Sequence, residues 1–73
     1  MLLKEFTNDK WSIYKSTMKD GTPYLETANG CAWTVTDNGT FWIESLQTMP
    51  PPDRVYNAMI KLGRELLGNY SYD

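Results

Sequence analysis

A glycine recurs every nine residues across the middle of the chain, at Gly21, Gly30 and Gly39. Asp or Asn precedes each of these glycines, and after each comes a run rich in Thr, aromatic and β-branched residues. Asp-Gly and Asn-Gly between such runs are the strongest short-range signal for a β-hairpin. The repeat therefore predicts an antiparallel meander of three to four strands, which lie at about 10–18, 22–27, 31–36 and 40–46.

Residues 53–67 follow the periodicity of an amphipathic helix. The apolar positions are Val55, Met59, Leu62 and Leu66, flanked by Tyr56, Ile60 and Leu67, and the polar positions are Arg54, Asn57, Lys61, Arg64 and Glu65. Pro52 suits the first helical position, and Gly68-Asn69 predicts the C-terminal stop. The 73 residues are therefore predicted to form a single α+β domain, a meander packed on one C-terminal helix.

The two ends of the chain leave alternatives open. The apolar residues Leu2, Leu3 and Phe6 fit either a short edge strand or a helical turn. Residues 68–73 are either a flexible tail or a segment that docks along the edge of the sheet.

The length of each turn determines which side chains share a face, because a shift of one residue turns a strand over. Three-residue loops with the glycine in the left-handed region are expected at Lys19-Asp20-Gly21, Ala28-Asn29-Gly30 and Asp37-Asn38-Gly39. With such a loop Trp33 lies opposite Ile43, so apolar partners meet. A two-residue Asn38-Gly39 turn would instead place Thr34 opposite Ile43 and mix polar with apolar side chains.

Under this register the odd-numbered strand residues face the helix. The apolar ones are Trp11, Ile13, Leu25, Cys31, Trp33, Val35, Phe41 and Ile43. Cys31 is then a small apolar core residue rather than a nucleophile. Gly63, on the apolar side of the helix, predicts the close approach of a bulky side chain such as Trp33.

The even-numbered strand residues then point away from the helix. In rows across the strands they are Tyr14, Glu26, Ala32 and Glu44; Ser16, Tyr24, Thr34 and Trp42; and Met18, Thr22, Thr36 and Thr40. The aromatic side chains either pack across the strands, as is common on exposed sheets, or form a contact surface, since Trp and Tyr are enriched at binding hot spots. The candidate partner-binding residues are Tyr14, Tyr24, Glu26, Trp42 and Glu44.

Composition argues against several classes of function. Seven Lys and Arg against nine Asp and Glu give a net charge of -2, so no overall field attracts nucleic acid or anionic lipid. The chain has no His and one Cys, so it lacks the commonest general base and the ligands of a zinc site. Glu26 and Glu44 would face each other across about 9–10 Å of open surface, two strand spacings, which is a poor acid–base pair. We therefore expect no enzymatic activity, no cofactor and no metal.

The N-terminal residues and the cysteine content predict the compartment. Met1-Leu2-Leu3 is followed at once by Lys4 and Glu5, and this apolar run is too short for a signal peptide or a membrane span. Cys31 has no second cysteine with which to form an internal disulfide. A cytoplasmic location without a membrane partner is the expectation.

A meander backed by a C-terminal helix resembles, in architecture, the plant AP2 DNA-binding domain and the arm-binding domains of tyrosine recombinases. Trp42-Ile43, the linker after it and the helix at 53–67 carry this likeness. It implies a sheet that enters the major groove with Arg and Trp side chains. The outward face predicted here offers Glu26 and Glu44 instead, which phosphate would repel.

The hypothesis that fits these features best is a non-enzymatic protein-binding domain. It would dock on a larger host protein through the aromatic and acidic sheet face and act as an inhibitor or adaptor, in the manner of small phage-encoded inhibitors. Two alternatives stay open: a sheet-mediated DNA-binding domain, and a structural protein that forms homo-oligomers through the same face or a strand edge.

Overall fold

The computed structural model describes residues 2–4 and 10–71. In this part of the chain six strands form one sheet, in the order in which they occur in the sequence. The strands are β1 (Leu2–Lys4), β2 (Ile13–Thr17), β3 (Pro23–Thr27), β4 (Ala32–Asp37), β5 (Thr40–Ser45) and β6 (Asn69–Tyr70), and the helix α1 (Asp53–Leu66) precedes β6. Strands β1 to β5 are antiparallel neighbours, whereas β6 runs parallel to β5. The predicted α+β meander with a C-terminal helix is confirmed, and the sheet has a further short strand at each edge.

The turn between β2 and β3 has the expected three-residue loop. The Met18 amide donates to the Thr22 carbonyl at 2.8 Å, and Gly21 has a φ of +92°. Beyond the loop Ser16 pairs with Tyr24, as predicted. The Thr22 backbone amide, which donates to Asp20 Oδ1 at 2.9 Å, and the Thr22 hydroxyl lower the pKa of the Asp20 carboxyl below its ordinary value of 3.8.

The two connections that flank β4 differ from the prediction. Asn38 and Gly39 have φ values of +52° and +80° and form a two-residue turn, so that Val35 pairs with Trp42. The loop before β4 comprises residues 28–31, and Glu26 pairs with Trp33 beyond it. The three-residue loop is therefore wrong at both places. A two-residue turn with two positive φ values matches the right-handed twist of the strands, which favours it at Asn-Gly.

These two differences invert β4 alone. The loop before β4 is one residue longer than expected and the turn after it one residue shorter, so the register recovers in β5. Ala32 and Thr34 are fully buried on the helix side of the sheet, although they were expected to point outward. Trp33 and Val35 point outward, although they were expected in the core. Odd-numbered residues face the helix in β2, β3 and β5, as predicted.

A hydrogen bond makes the burial of Thr34 tolerable. Its Oγ1 accepts from the Leu25 amide at 2.8 Å, in the interior of the sheet. Buried polar groups are stable when they are paired in this way, so the mixed pairing of Thr34 with Ile43 is accommodated. Ser12 and Thr27 are buried polar residues as well. The buried apolar residues are Trp11, Ile13, Leu25, Cys31, Ala32, Phe41, Val55 and Met59.

Helix α1 packs its apolar side on this core and ends close to the predicted position. Val55, Met59 and Gly63 are buried along the helix, but Leu66 is 41% exposed and does not continue the apolar face as predicted. Pro52 is the N-cap residue, with φ -63° and ψ 160°, rather than the first helical residue. Pro52 therefore lies just before the first turn of the helix, whereas it was expected to be the first residue of that turn.

Gly63 is in close contact with a ring, as predicted, but the ring belongs to Phe41 and not to Trp33. A Cβ at position 63 would overlap three atoms of the Phe41 ring. The reason for the different neighbour is the inversion of β4, which moves Trp33 to the other side of the sheet while Phe41 in β5 stays inside.

The segment after the helix docks along the edge of β5. The Asn69 amide donates to the Gly39 carbonyl at 3.0 Å, and the Ser71 amide donates to the Phe41 carbonyl at 2.7 Å. The Tyr70 ring lies 5.3 Å from the Phe41 ring, centroid to centroid. Of the two alternatives for the C-terminus, docking is therefore correct as far as residue 71.

At the N-terminus Leu2–Lys4 forms the edge strand that was one of the alternatives, while Phe6 lies outside the described residues. Residues 72 and 73 likewise lie outside them. Among the described helices there is none with the length and hydropathy needed to cross a lipid bilayer.

Candidate functional site

The side of the sheet opposite helix α1 is the candidate site, and we call it the outer face. Its residues in β2 to β5 are Tyr14, Ser16, Tyr24, Glu26, Trp33, Val35, Asp37, Thr40, Trp42 and Glu44. All five candidate partner-binding residues belong to this set. The structure therefore brings together Tyr14, Tyr24, Glu26, Trp42 and Glu44, and adds Trp33 and Val35 to them.

One row of the outer face alternates aromatic and acidic residues across four strands. Tyr14 pairs with Glu26, Glu26 with Trp33, and Trp33 with Glu44. Neighbouring strands lie about 5 Å apart. Trp33 is therefore flanked by a carboxylate-bearing residue on each side.

The next row continues the aromatic surface. Ser16 pairs with Tyr24, and Val35 pairs with Trp42. These positions lie two residues along their strands from the first row, on the same face, because side chains alternate along a strand. Aromatic residues from all four central strands are thus neighbours.

Both glutamates of the first row accept hydrogen bonds from the second. The Ser16 hydroxyl donates to Glu26 Oε1 at 3.0 Å, and the Trp42 indole Nε1 donates to Glu44 Oε1 at 2.9 Å. The two donors are neutral, so they orient the carboxylates without compensating their charge. A fixed carboxylate loses less conformational entropy when a partner binds it.

The charged residues at the outward positions of β2 to β5 all have the same sign. Its outward positions in β2 to β5 include Glu26, Asp37 and Glu44 and no Lys or Arg. The exposed cations of the helix, Lys61 among them, lie on the other side of the sheet. A surface of this kind attracts cationic groups and repels phosphate.

The aromatic side chains of the outer face are partly accessible. Tyr14, Tyr24, Trp33 and Trp42 are each half-buried, and Glu44 is exposed. Each of these aromatic side chains thus keeps some accessible area for contact. Partial burial limits the rotamers of these side chains, which lowers the entropy that they would lose in a contact.

Trp33 is the residue that the sequence analysis missed. The three-residue loops expected on both sides of β4 placed it in the core. The signal that could have found it was the Asn-Gly pair, which is the preferred sequence of a two-residue hairpin turn. Giving more weight to the turn residues would have placed Trp33 and Trp42 on the same face, and the longer loop at residues 28–31 makes that face the outer one.

The described residues enclose no pocket, and among them no group of three or more His, Cys, Asp and Glu side chains is placed to hold a metal ion. Cys31 is buried as predicted, and its Sγ lies 3.6 Å from Met49 Sδ.

Comparison of the chain with models of known protein families, with curated proteins and with solved structures finds no match.

Proposed function

We propose that the chain is a protein-binding domain without enzymatic activity, and that its outer face docks on a basic surface of a larger protein. The observation that carries the proposal is the composition of this face, four half-buried aromatic residues with three carboxylates and no cation in β2 to β5. Aromatic anchors supply most of the binding energy at protein interfaces, and complementary charge selects the partner. Bound in this way, the domain would act as an inhibitor or adaptor.

Cross-strand packing alone accounts for the aromatic residues but not for the acidic ones. Glu26 is half-buried and Glu44 is exposed, and a cation that pairs with a carboxylate is attracted to it. Glu26 and Glu44 have neutral donors on Oε1. A partner that brings cations would complete these interactions.

The same charges argue against two other binding partners for the outer face, duplex DNA and a second copy of the chain. Duplex DNA presents phosphates, and binding to it depends on Lys and Arg that neutralise them. The outer face has neither residue in β2 to β5. A second copy of the chain would bring acidic residues against acidic residues, because a twofold interface places the same patch on both partners. We therefore propose that the outer face binds a basic protein.

We also place the protein in a reducing compartment such as the cytoplasm. Its Cys31 is a free, buried thiol. Small proteins that fold in oxidising compartments generally rely on disulfides instead.

Site-specific photocrosslinking tests the docking face. A photoreactive phenylalanine analogue replaces Tyr24 on the outer face in one variant, and exposed Asn57 on the helix in a matched control. We expect a discrete adduct with one basic protein from position 24 and none from position 57, in the cells that produce the chain. Adduct formation should be suppressed by excess wild-type chain but not by the Trp42→Ala variant.

The purified partner then gives the energetic test. Trp42→Ala should weaken binding by about 30-fold, or roughly 2 kcal/mol, because hot-spot tryptophans contribute at least this much. Asn57→Ala should leave the Kd unchanged, and circular dichroism should show that both variants are folded. Equal adducts from both positions, an adduct with a second copy, or a nuclease-sensitive adduct would each contradict the proposal.

A further inference from the structure

We infer that Asn38 is a site of spontaneous deamidation, whereas the fold protects Asn29 from the same reaction. Both asparagines precede a glycine, Gly39 and Gly30 respectively. Asparagine is a chemically labile residue. It reacts fastest before glycine, because glycine has no Cβ to hinder the approach of its backbone nitrogen. The sequence alone therefore marks the two positions equally, and the structure distinguishes them.

The reaction uses only the groups of the turn and water. The backbone nitrogen of the glycine attacks the side-chain carbonyl carbon of the asparagine, so that a new C–N bond forms and the bond to the side-chain amide nitrogen breaks. Ammonia leaves with the proton of the glycine amide, and a cyclic succinimide remains. Water then adds to one of the ring carbonyls and opens the ring to aspartate or to isoaspartate.

At Asn29 hydrogen bonds and burial oppose both the attack and the departure of ammonia. Its Oδ1 accepts from the Thr27 hydroxyl at 2.6 Å and from the Cys31 amide at 3.0 Å, which fixes the orientation of the side chain. The Gly30 amide, which would be the nucleophile, donates to the Thr27 carbonyl at 2.9 Å. The side-chain nitrogen that would leave is buried. Three hydrogen bonds must therefore break before Asn29 can react.

At Asn38 the corresponding groups are accessible. Asn38 and Gly39 are both exposed at the tip of the hairpin. Among the described residues no hydrogen-bond partner is found for the Asn38 side chain or for the Gly39 amide. The side chain can therefore turn toward the glycine nitrogen without losing a hydrogen bond, and exposed loops open locally at low cost. The water that opens the ring also reaches this position directly.

The product would differ from the original chain in charge and in the backbone of the turn. Exchange of the amide for a carboxylate adds a negative charge next to Asp37, which belongs to the outer face. Isoaspartate also carries the main chain through the former side chain and lengthens the turn by one carbon atom. The Gly39 carbonyl accepts from the Asn69 amide at 3.0 Å, so this lengthening would shift the acceptor on which β6 docks.

Deamidation of the intact, folded chain tests the inference. The purified chain is incubated at mildly alkaline pH in heavy-oxygen water, which labels the carboxylates that form, and is then digested in ordinary water. Chymotrypsin cleaves after Trp33 and separates the peptides that contain Asn29 and Asn38, which mass spectrometry follows with time. We expect Asn38 to react at least about tenfold faster than Asn29, because the hydrogen bonds at Asn29 must break first. An isoaspartyl methyltransferase should methylate the product at position 38.

The unfolded chain and two pairs of variants are the controls. In urea neither asparagine has fixed hydrogen bonds, so the two rates should become similar. Asn38→Gln should abolish the modified peptide, because the longer side chain would have to close a larger ring, and Asn57→Gln on the helix should leave it unchanged. Thr27→Val removes the hydroxyl that holds Asn29 Oδ1 and should accelerate the reaction at Asn29. Thr27→Ser keeps the hydroxyl and should not, with circular dichroism as the check of the fold.

Three outcomes would overturn the inference. The first is an equal or faster reaction at Asn29 in the folded chain. The second is a folded chain that reacts at neither position while the unfolded chain reacts at both, since the turn would then protect Asn38 as well. The third is an excess of the Asn38 rate that is as large in urea as in the folded chain, because neighbouring residues and not the fold would then cause the difference.

Discussion

Thr34 and Thr36 lie at successive inward positions of β4 and differ in their hydrogen bonds. Thr34 is fully buried and its Oγ1 accepts from the Leu25 amide. The Oγ1 of Thr36 is also buried but has no hydrogen-bond partner among the described residues. Both threonines were expected to point outward. Only Thr34 has a hydrogen bond that offsets the cost of burying its hydroxyl.

The two threonines should therefore respond in opposite ways to the same substitution. Thr34→Val leaves the buried Leu25 amide without its acceptor, and we expect the free energy of unfolding to fall by about 1–3 kcal/mol. Thr36→Val removes a buried hydroxyl that has no partner, so it should be neutral or stabilising. Urea unfolding of the two variants measures both effects. A larger loss for Thr36→Val than for Thr34→Val would contradict the hydrogen bonding described here.

The turn at Asn38-Gly39 and the loop before β4 together determine the face of a whole strand. Because the turn has two residues and the loop comprises residues 28–31, β4 presents Trp33 and Val35 to the outside. The pattern of the β4 sequence alone supported the opposite orientation, since Trp33 and Val35 are its large apolar residues. The backbone of the turn and the loop before it decided between the two, with Thr34 made compatible with the interior by its hydrogen bond.

Gly39→Ala tests the left-handed conformation of this turn. A Cβ at position 39 would meet no atom within 4 Å, so the cost of the substitution comes only from the backbone φ of +80°. We expect a loss of about 1–2 kcal/mol in the free energy of unfolding, measured by urea denaturation.

Asn38→Gly is the matched control for Gly39→Ala, because glycine also adopts the φ of +52° found at position 38. Its stability should stay close to that of the wild type. If Gly39→Ala were equally stable, the two-residue turn and the orientation of β4 would have to be revised.

The whole molecule has two layers with different charges. The helix exposes Arg54, Lys61 and Arg64 together with Asp53 and Glu65, whereas the charged residues of the outer face in β2 to β5 are all carboxylates. The net charge of -2 is the sum over both sides and hides this separation. A charged group that approaches β2 to β5 from the outer face therefore meets carboxylates, whereas one that approaches the helix meets charges of both signs.

The two layers meet most closely where Gly63 of the helix contacts the Phe41 ring. Gly63→Ala places a methyl group inside this contact. Helix propensity favours Ala over Gly by about 1 kcal/mol, but overpacking of a core costs about 1–3 kcal/mol. We expect the second effect to dominate and the unfolding temperature to fall.

A double-mutant cycle identifies the cause. Phe41→Leu removes part of the ring, so Gly63→Ala should be less destabilising in that background than in the wild type. An increase in stability for Gly63→Ala alone would show that the helix can move away from the sheet without loss.

Local patterns were sufficient for much of the fold. The glycine spacing and the 3.6-residue periodicity located four strands and the helix, because turn residues and amphipathic faces act over a few neighbouring residues. The same patterns placed Tyr14, Tyr24, Glu26, Trp42 and Glu44 on one face, since these residues lie in strands whose orientation was correct.

Tertiary structure decided the orientation of β4, and with it the position of Trp33. A single-residue change in each flanking connection inverts the strand, and the hydrogen bond from the Leu25 amide to Thr34 Oγ1 stabilises the inverted strand. The partner of Gly63 and the docking of residues 69–71 on β5 are likewise contacts between distant parts of the chain. Such contacts depend on which elements meet in space, and no local periodicity contains that information.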